Sequence, residues 1–512
     1  MKKTLRLVVF FAICLVTISL ALGQSPEGAM SFTLSMEQPG THNYHVVFRC
    51  EGLEGETQDF KMPAFSPGYY RIMNFARNVA NFRADDEDSN PLEWEKTSEN
   101  NWRVQSGKAA SITISYDVYA NRRSVADSYL DETRGYVSPT GVFMYIADKL
   151  RHPVTLEVKP YQGFSKISTG LEPVSGKPDT FSVPDFDVLY DCPILIGNQH
   201  IVSFDVKGIP YTIATVQDPN TFDSEKAIEV LKNMIETAVD VIGETPYRHY
   251  TFIMMGRGQG GLEHLNSMAV FSSIPNLDNP DSSASWLSFI AHEFFHSYNV
   301  KSIRPVALGP FDYDKENYTN MLWVSEGFTV YYQNMIINRA GFLPREKFLE
   351  NLSSTIAKCE NSPGHLLQSV TESSHNAWTQ SFFGSENEVS YYDKGDILGA
   401  LLDLKIRYET KNEKTLDDVM RTLYQQYYKE KKRGFTDEEF QHVCESVAGC
   451  PLPEIFEYAS TVKEIDYPKY FAYAGLDIEM PKDKIEKGTF AIKPLQNPNP
   501  LQSEILKSWL KN

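Results

Sequence analysis

Near residue 222 the hydrophobic pattern changes period, and the change divides the chain into two kinds of structure. Upstream, from about residue 31 to 204, short runs alternate apolar and polar side chains. Ile112, Ile114, Tyr116 and Val118 share one face of such a run, and similar runs at 44–48 and 154–158 are broken by Gly, Pro and Asn clusters. Downstream, Ala227, Val230, Leu231, Met234, Ile235, Ala238 and Val241 recur at helical spacing. A strand-like run at 250–255 follows, then helical patterns at 283–298, 320–340, 345–360, 394–409, 415–430 and 436–447. Thr436 and Glu439 have the spacing of a capping box, and Thr415 with Asp418 resembles one. The expected fold is therefore multidomain α+β: an N-terminal antiparallel β domain over 24–207, then a mainly helical domain with a small sheet over 208–475. Residues 476–512 are expected to form a short tail.

The first 23 residues have the layout of an export signal. Lys2, Lys3 and Arg6 precede an apolar run at 7–22, and Ala21 and Gly23 place small residues before a cut ahead of Gln24. The expected location is periplasmic or secreted. No later stretch approaches 18 apolar residues, so no membrane span is expected after cleavage. Five cysteines then remain, Cys50, Cys192, Cys359, Cys444 and Cys450. This odd, irregular set is unlike a disulfide framework, although Cys444 and Cys450 are close enough in sequence to pair. With 67 acidic against 49 basic residues and a net charge of -18, the chain lacks the basic surface that nucleic acid binding requires.

Chemistry enters at His292-Glu-Phe-Phe-His296. On a helix, imidazoles at i and i+4 project from one face a turn apart, as two ligands of one tetrahedral zinc must. Candidate caps for that helix lie at Asp281 to Ser283. Glu293 then lies beside the metal without binding it, placed to take a proton from water. A catalytic zinc keeps three protein ligands. Glu326 lies amid Met-Leu-Trp-Val-Ser and Gly-Phe-Thr-Val-Tyr-Tyr, with no basic residue three or four positions away. A carboxylate in such an apolar setting needs a cation, and Glu326 is the expected third ligand. The glycines at 256, 258, 260 and 261 are not followed by the Lys-Ser/Thr of a phosphate loop, nor by an amphipathic helix. They read instead as backbone that must approach something closely, just ahead of Glu263.

Gly260-Gly-Leu-Glu-His264, the HEFFH motif and Trp323-Val-Ser-Glu-Gly327 together resemble the glycyl aminopeptidase family of zinc peptidases. That family consists of thermolysin-like gluzincins, related in layout to the alanyl aminopeptidase and leukotriene hydrolase group. Met62-Pro-Ala-Phe-Ser-Pro-Gly-Tyr-Tyr70, Asn299-Val-Lys-Ser-Ile-Arg-Pro305, Tyr391-Tyr-Asp-Lys-Gly395 and Gly434-Phe-Thr436 extend the resemblance over most of the chain. It implies that 208–475 is a thermolysin-like zinc peptidase domain holding one Zn²⁺ on His292, His296 and Glu326. Glu263 would bind the substrate's α-amino group, assisted by Gly261 and His264. Tyr392 would donate to the tetrahedral oxyanion, with Tyr391 its nearest competitor. Many members of the family carry a further PDZ module of roughly 80 to 100 residues, and 476–512 cannot form a complete one. The implied activity is an exported aminopeptidase acting on peptides with free N-termini, glycine and alanine first. The alternatives are a metallo-endopeptidase of the same clan and a non-catalytic peptide-binding protein.

Overall fold

Strands dominate the first 200 residues and helices the remainder. The computed structural model describes residues 29–258, 260–381, 384–481 and 488–512, so the expected export signal at 1–23 lies outside the described residues. The N-terminal domain contains sheets of seven, four and four strands. The alternation at 112–118 is realised in Ser111–Tyr119, which pairs antiparallel with Asn43–Glu51 and buries all four apolar side chains. Pairing in this domain is antiparallel except between Met30–Ser35 and Val154–Lys159, which run parallel. Phe32 and Phe48 stack across adjacent strands with ring centroids 4.0 Å apart.

The second domain opens with a five-stranded sheet in the order His200–Val206, Ile209–Thr215, Tyr250–Met254, Ser267–Val270, Gly261–Glu263. Its middle three strands are parallel and both edge strands antiparallel. The expected boundary at 207/208 is displaced by this sheet. Lys207 and Gly208, with φ of 50° and 82°, form the tight turn between its first two strands. Both strands belong to the second domain, and the division falls just before residue 200.

The helix Ser224–Ile242 begins at Asp223, whose side chain accepts from the Lys226 amide, and ends at left-handed Gly243. Pro280–Phe295 starts earlier than expected, because Asn279 and not a residue at 281–283 is its cap. The pattern at 320–340 becomes two segments, Leu322–Ser325 and Gly327–Arg339, with Glu326 at the break. At 415–430, Leu416–Leu423 is α-helical and Tyr424–Lys431 widens into a π-helix. Both capping boxes form.

The tail proves to be part of the helical domain. Leu476–Glu479 pairs with Ala491–Pro494, and the capped helix Pro500–Trp509 buries Ile505 and Trp509 in the main core. Trp509 Nε1 donates to the Tyr331 hydroxyl at 2.8 Å. Cys50, Cys192, Cys359, Cys444 and Cys450 are free thiols. Among the described residues, no helix is long and apolar enough to cross a membrane.

Candidate metal centre and peptide site

The helix Pro280–Phe295 packs on Gly327–Arg339, and this pairing brings the three expected ligands together. His292 Nε2 and His296 Nε2 lie 3.1 Å apart, and Glu326 Oε2 is 3.7 and 3.3 Å from them. Each imidazole is held from behind. His292 Nδ1 is 2.8 Å from Gln333 Oε1, and the Gln333 amide donates onward to Ser288 Oγ. His296 Nδ1 donates to the Asn299 carbonyl at 2.6 Å, while the Asn299 side chain donates to the Val324 carbonyl ahead of Glu326. These bonds put the ring protons on Nδ1 and turn both Nε2 lone pairs toward the carboxylate. Two imidazoles and one carboxylate converging within 4.8 Å fit the donor set and dimensions of zinc.

Burial pushes the Glu326 carboxyl up, but the facing imidazoles of His296 and His292 outweigh it and hold the group well below its ordinary range. The His296 imidazole is raised in turn, the Glu326 charge outweighing its own burial. Truncating one member of such a buried charge cluster costs about 3–5 kcal/mol.

Glu293 is buried beside the ligands. Burial lifts its carboxyl to about 8, with Glu263 and Glu326 adding to the rise and His292 and Lys301 opposing it. A divalent cation on the three ligands would bring it down, placing it in the range where a carboxylate exchanges protons near neutrality. The edge strand Gly261–Glu263 lies against this carboxylate. A Cβ on Gly261 would fall 2.1 Å from Glu293 Oε1, so the close approach expected of the glycine run is made here.

Side chains alternate along that strand, and the alternation separates the two candidates at its end. Glu263 is buried, and its Oε1 accepts no hydrogen bond; Lys301 stands 3.6 Å away. His264 turns with Leu262 toward the N-terminal domain, where its Nδ1 meets Asp191 Oδ1 at 3.3 Å. His264 thus links the domains through Nδ1, while its Nε2 is buried without a hydrogen-bond partner. Asp191 also pairs with Lys301 at 2.9 Å and accepts the Leu265 amide at 2.8 Å. Burial opposes ionisation of Asp191, yet Lys301 and His264 hold it at about 2. From the same domain comes the loop carrying Gly68, where φ is +86° and a Cβ would fall 2.5 Å from Glu263 Oε1.

Tyr391 and Tyr392 open the helix Tyr391–Glu409, capped by Ser390. That helix crosses Gly327–Arg339 at paired glycines: a Cβ on Gly327 would sit 2.3 Å from the Gly395 Cα. The crossing sets both tyrosines near Glu326. Tyr392 is the partly buried one, its ring 6.3 Å from the His292 ring, whereas Tyr391 is fully buried behind it and stacked at 4.8 Å. Tyr70, whose hydroxyl is 3.5 Å from Glu326 Oε1, was not singled out from the sequence, although it closes the stretch 62–70. Asn299 and Lys301 lie in another distinctive stretch, 299–305. Gln333 and Asp191 carry no sequence signal, because only folding brings them to the site.

The chain matches the family model for the Peptidase M61 N-terminal domain over residues 31–198 and that for M61 glycyl aminopeptidase over 285–398, together more than half its length. Among solved structures it is similar to an aminopeptidase N family protein from Idiomarina loihiensis. The two are 27% identical with a TM-score of 0.82, over 90% of this chain and 81% of that one. An M1 zinc metallopeptidase from Deinococcus radiodurans is 11% identical with a TM-score of 0.54, over 86% of this chain and 96% of that one. A mutant of that enzyme bound to a Tyr-Ser-Ala substrate is similar at a TM-score of 0.52 and 11% identity, over 86% of this chain and 96% of that one. These last two share the fold alone. No curated protein matches the chain closely enough to count as a relative.

Proposed function

Because this chain belongs to the M61 glycyl aminopeptidase family of zinc metallopeptidases, we propose that it is an exported aminopeptidase releasing small N-terminal residues, glycine and alanine first. The observation that carries the reading is the buried Glu263 carboxylate, which has an unbonded oxygen on the strand that faces Glu293. A buried anion with spare acceptor capacity next to a metal centre suits the α-ammonium of a peptide N-terminus. Anchoring that group also fixes register, so the first peptide bond alone meets the reacting groups.

One zinc per chain, held by His292, His296 and Glu326, would supply Lewis-acid polarisation of water and of the scissile carbonyl. Glu293 takes the proton from the attacking water and returns it to the departing amine. Tyr392 donates a hydrogen bond to the oxyanion as the carbonyl carbon becomes tetrahedral. Gly261 keeps the strand flat against Glu293, so the proton-transfer carboxylate and the amine-binding carboxylate act on one bound peptide. His264 holds Asp191, and through it the domain seam. Export rests on the signal-like residues 1–23, and a mature chain beginning at Gln24 would bear it out.

A panel of aminoacyl-anilides assayed with and without a zinc chelator tests the proposal. We expect glycyl and alanyl substrates to be cleaved fastest, with loss on chelation and recovery on adding zinc. Activity that survives complete zinc removal would refute it.

A further inference from the structure

The three ligands are not held alike. Behind His292 stands Gln333, and behind His296 the Asn299 carbonyl, both from the second domain. Glu326 lies at the break between Leu322–Ser325 and Gly327–Arg339, and its side chain makes no capping bond there. Its Oε2 faces the two imidazoles. Its Oε1 faces the Tyr70 hydroxyl at 3.5 Å, and Tyr70 belongs to the first domain.

A loop pinned at several points brings Tyr70 there. The Met73 amide donates to the Ala64 carbonyl at 2.8 Å and closes the loop, and the Tyr69 amide donates to the Ser66 carbonyl at 3.0 Å. Across the seam, the Ala64 amide donates to the Tyr313 carbonyl at 2.8 Å. Gly68, with φ of +86°, turns the chain past Glu263. Tyr70 follows with φ of 20°, at the edge of a region that residues other than glycine rarely adopt. A tyrosine keeps such a backbone only where its surroundings fix it. Here they fix the ring, which is buried with the core of the second domain and meets Trp378 edge to face, the centroids 6.0 Å apart. Phe65 of the same loop meets Trp378 in the same way at 5.0 Å.

A phenol ionises near about 10, so at neutral pH this hydroxyl is a donor. Tyr392 is only partly buried, as a donor to a substrate oxyanion must be; Tyr70 is buried, with a ligand carboxylate before its hydroxyl. A carboxylate that binds a metal through one oxygen is oriented by a donor on the other. We propose that Tyr70 is a positioning residue of the metal centre: its hydroxyl holds Glu326 Oε1, so that Oε2 stays turned toward His292 and His296, and the β domain completes a centre that the helical domain begins. The proposal rests on the zinc reading of the three ligands and not on the choice of substrate.

Tyr70→Phe keeps the ring and its packing on Trp378 and removes only the hydroxyl. Zinc affinity of the full chain is measured by competition with a chromogenic chelator, alongside the melt of the zinc-free protein and the visible spectrum of the cobalt-substituted form. We expect zinc to bind at least about tenfold more weakly in the variant, the cobalt bands to shift, and the zinc-free melt to match wild type. Zinc affinity within about twofold of wild type overturns the proposal. So does a zinc-free melt that falls by several degrees with the cobalt bands unchanged, since Tyr70 would then serve packing alone. If the variant does not fold, replacing Tyr70 by 3-fluorotyrosine takes its place: the more acidic donor should tighten zinc binding, and an unchanged affinity overturns the proposal. A wild-type chain that binds no zinc overturns the metal reading and the proposal together. The expected loss of affinity in a chain that binds zinc but cleaves no aminoacyl-anilide supports the proposal and refutes the aminopeptidase reading.

Discussion

The two ends of the site are built differently. The metal end is built almost wholly by the second domain: His292, His296 and Glu326 are its residues, Gln333 and Asn299 orient the imidazoles, and Tyr70 alone reaches a ligand from the first domain, 3.5 Å from Glu326. The amine end lies on a seam. Glu263 stands on an edge strand of the second domain, but the Gly68 backbone reaches it from the first, and Asp191 of the first pairs with its neighbour Lys301. On the proposed reading, bond cleavage draws mainly on the helical domain, and choosing the end of a peptide draws on the β domain as well.

Substitutions should separate the two ends by kinetic signature. Glu293→Gln removes the proton carrier and should lower kcat by about 10³-fold or more, with zinc content unchanged. A kcat within a few-fold of wild type would remove Glu293 from the mechanism. Gly261→Ala drives a methyl group toward Glu293 and displaces the strand that joins the two ends. A shift of this kind should cost on the order of 10²-fold in kcat/KM, with the melting temperature barely changed. Asp191→Asn removes the closer counter-charge of Lys301, which then pairs with Glu263 in competition with the substrate's ammonium, and should raise KM about tenfold with kcat nearly unchanged, since a hydrogen bond to a charged group is worth roughly 1.5–3 kcal/mol. A kcat defect of equal size would erase the distinction between the ends.

The smallest effect belongs to the scaffold the tyrosines stand on. Asp396, on the Tyr391–Glu409 helix, is pushed to about 8 by burial and by the neighbouring Asp393, with Thr355 opposing. Unfolded, its carboxyl ionises near about 3.9. Stability from the neutral folded form is therefore complete below about pH 4 and is lost as pH rises through about 8. Asp396→Asn should melt close to wild type at pH 4 and several degrees higher at pH 8.

The metal end is legible in the sequence and the seam beside Glu263 is not, for the same reason. His292 and His296 are one helical turn apart, so the pattern is local, and Glu326 is marked by its apolar neighbours. The capping boxes at 415–418 and 436–439 are equally local, and both form. Asp191 and Lys301 meet across 110 positions, and no period records such a contact. His264 is expected at the site through the family resemblance alone, and its contact with Asp191 across the seam leaves no mark in the sequence pattern. The boundary expected at 207 divides a hairpin, whose tight turn is Lys207-Gly208. In the tail, Ile505 and Trp509 are one helical turn apart, too short a stretch to disclose a core-facing helix.

On the proposed reading Glu263 recognises a free N-terminus beside a zinc centre. Wild-type hydrolysis of glycyl p-nitroanilide and of its N-acetyl derivative tests it most directly. The account predicts a kcat/KM for the acetylated compound at least about 10²-fold lower, because the buried carboxylate would face a neutral amide in place of an ammonium. Equal rates for the two would contradict it.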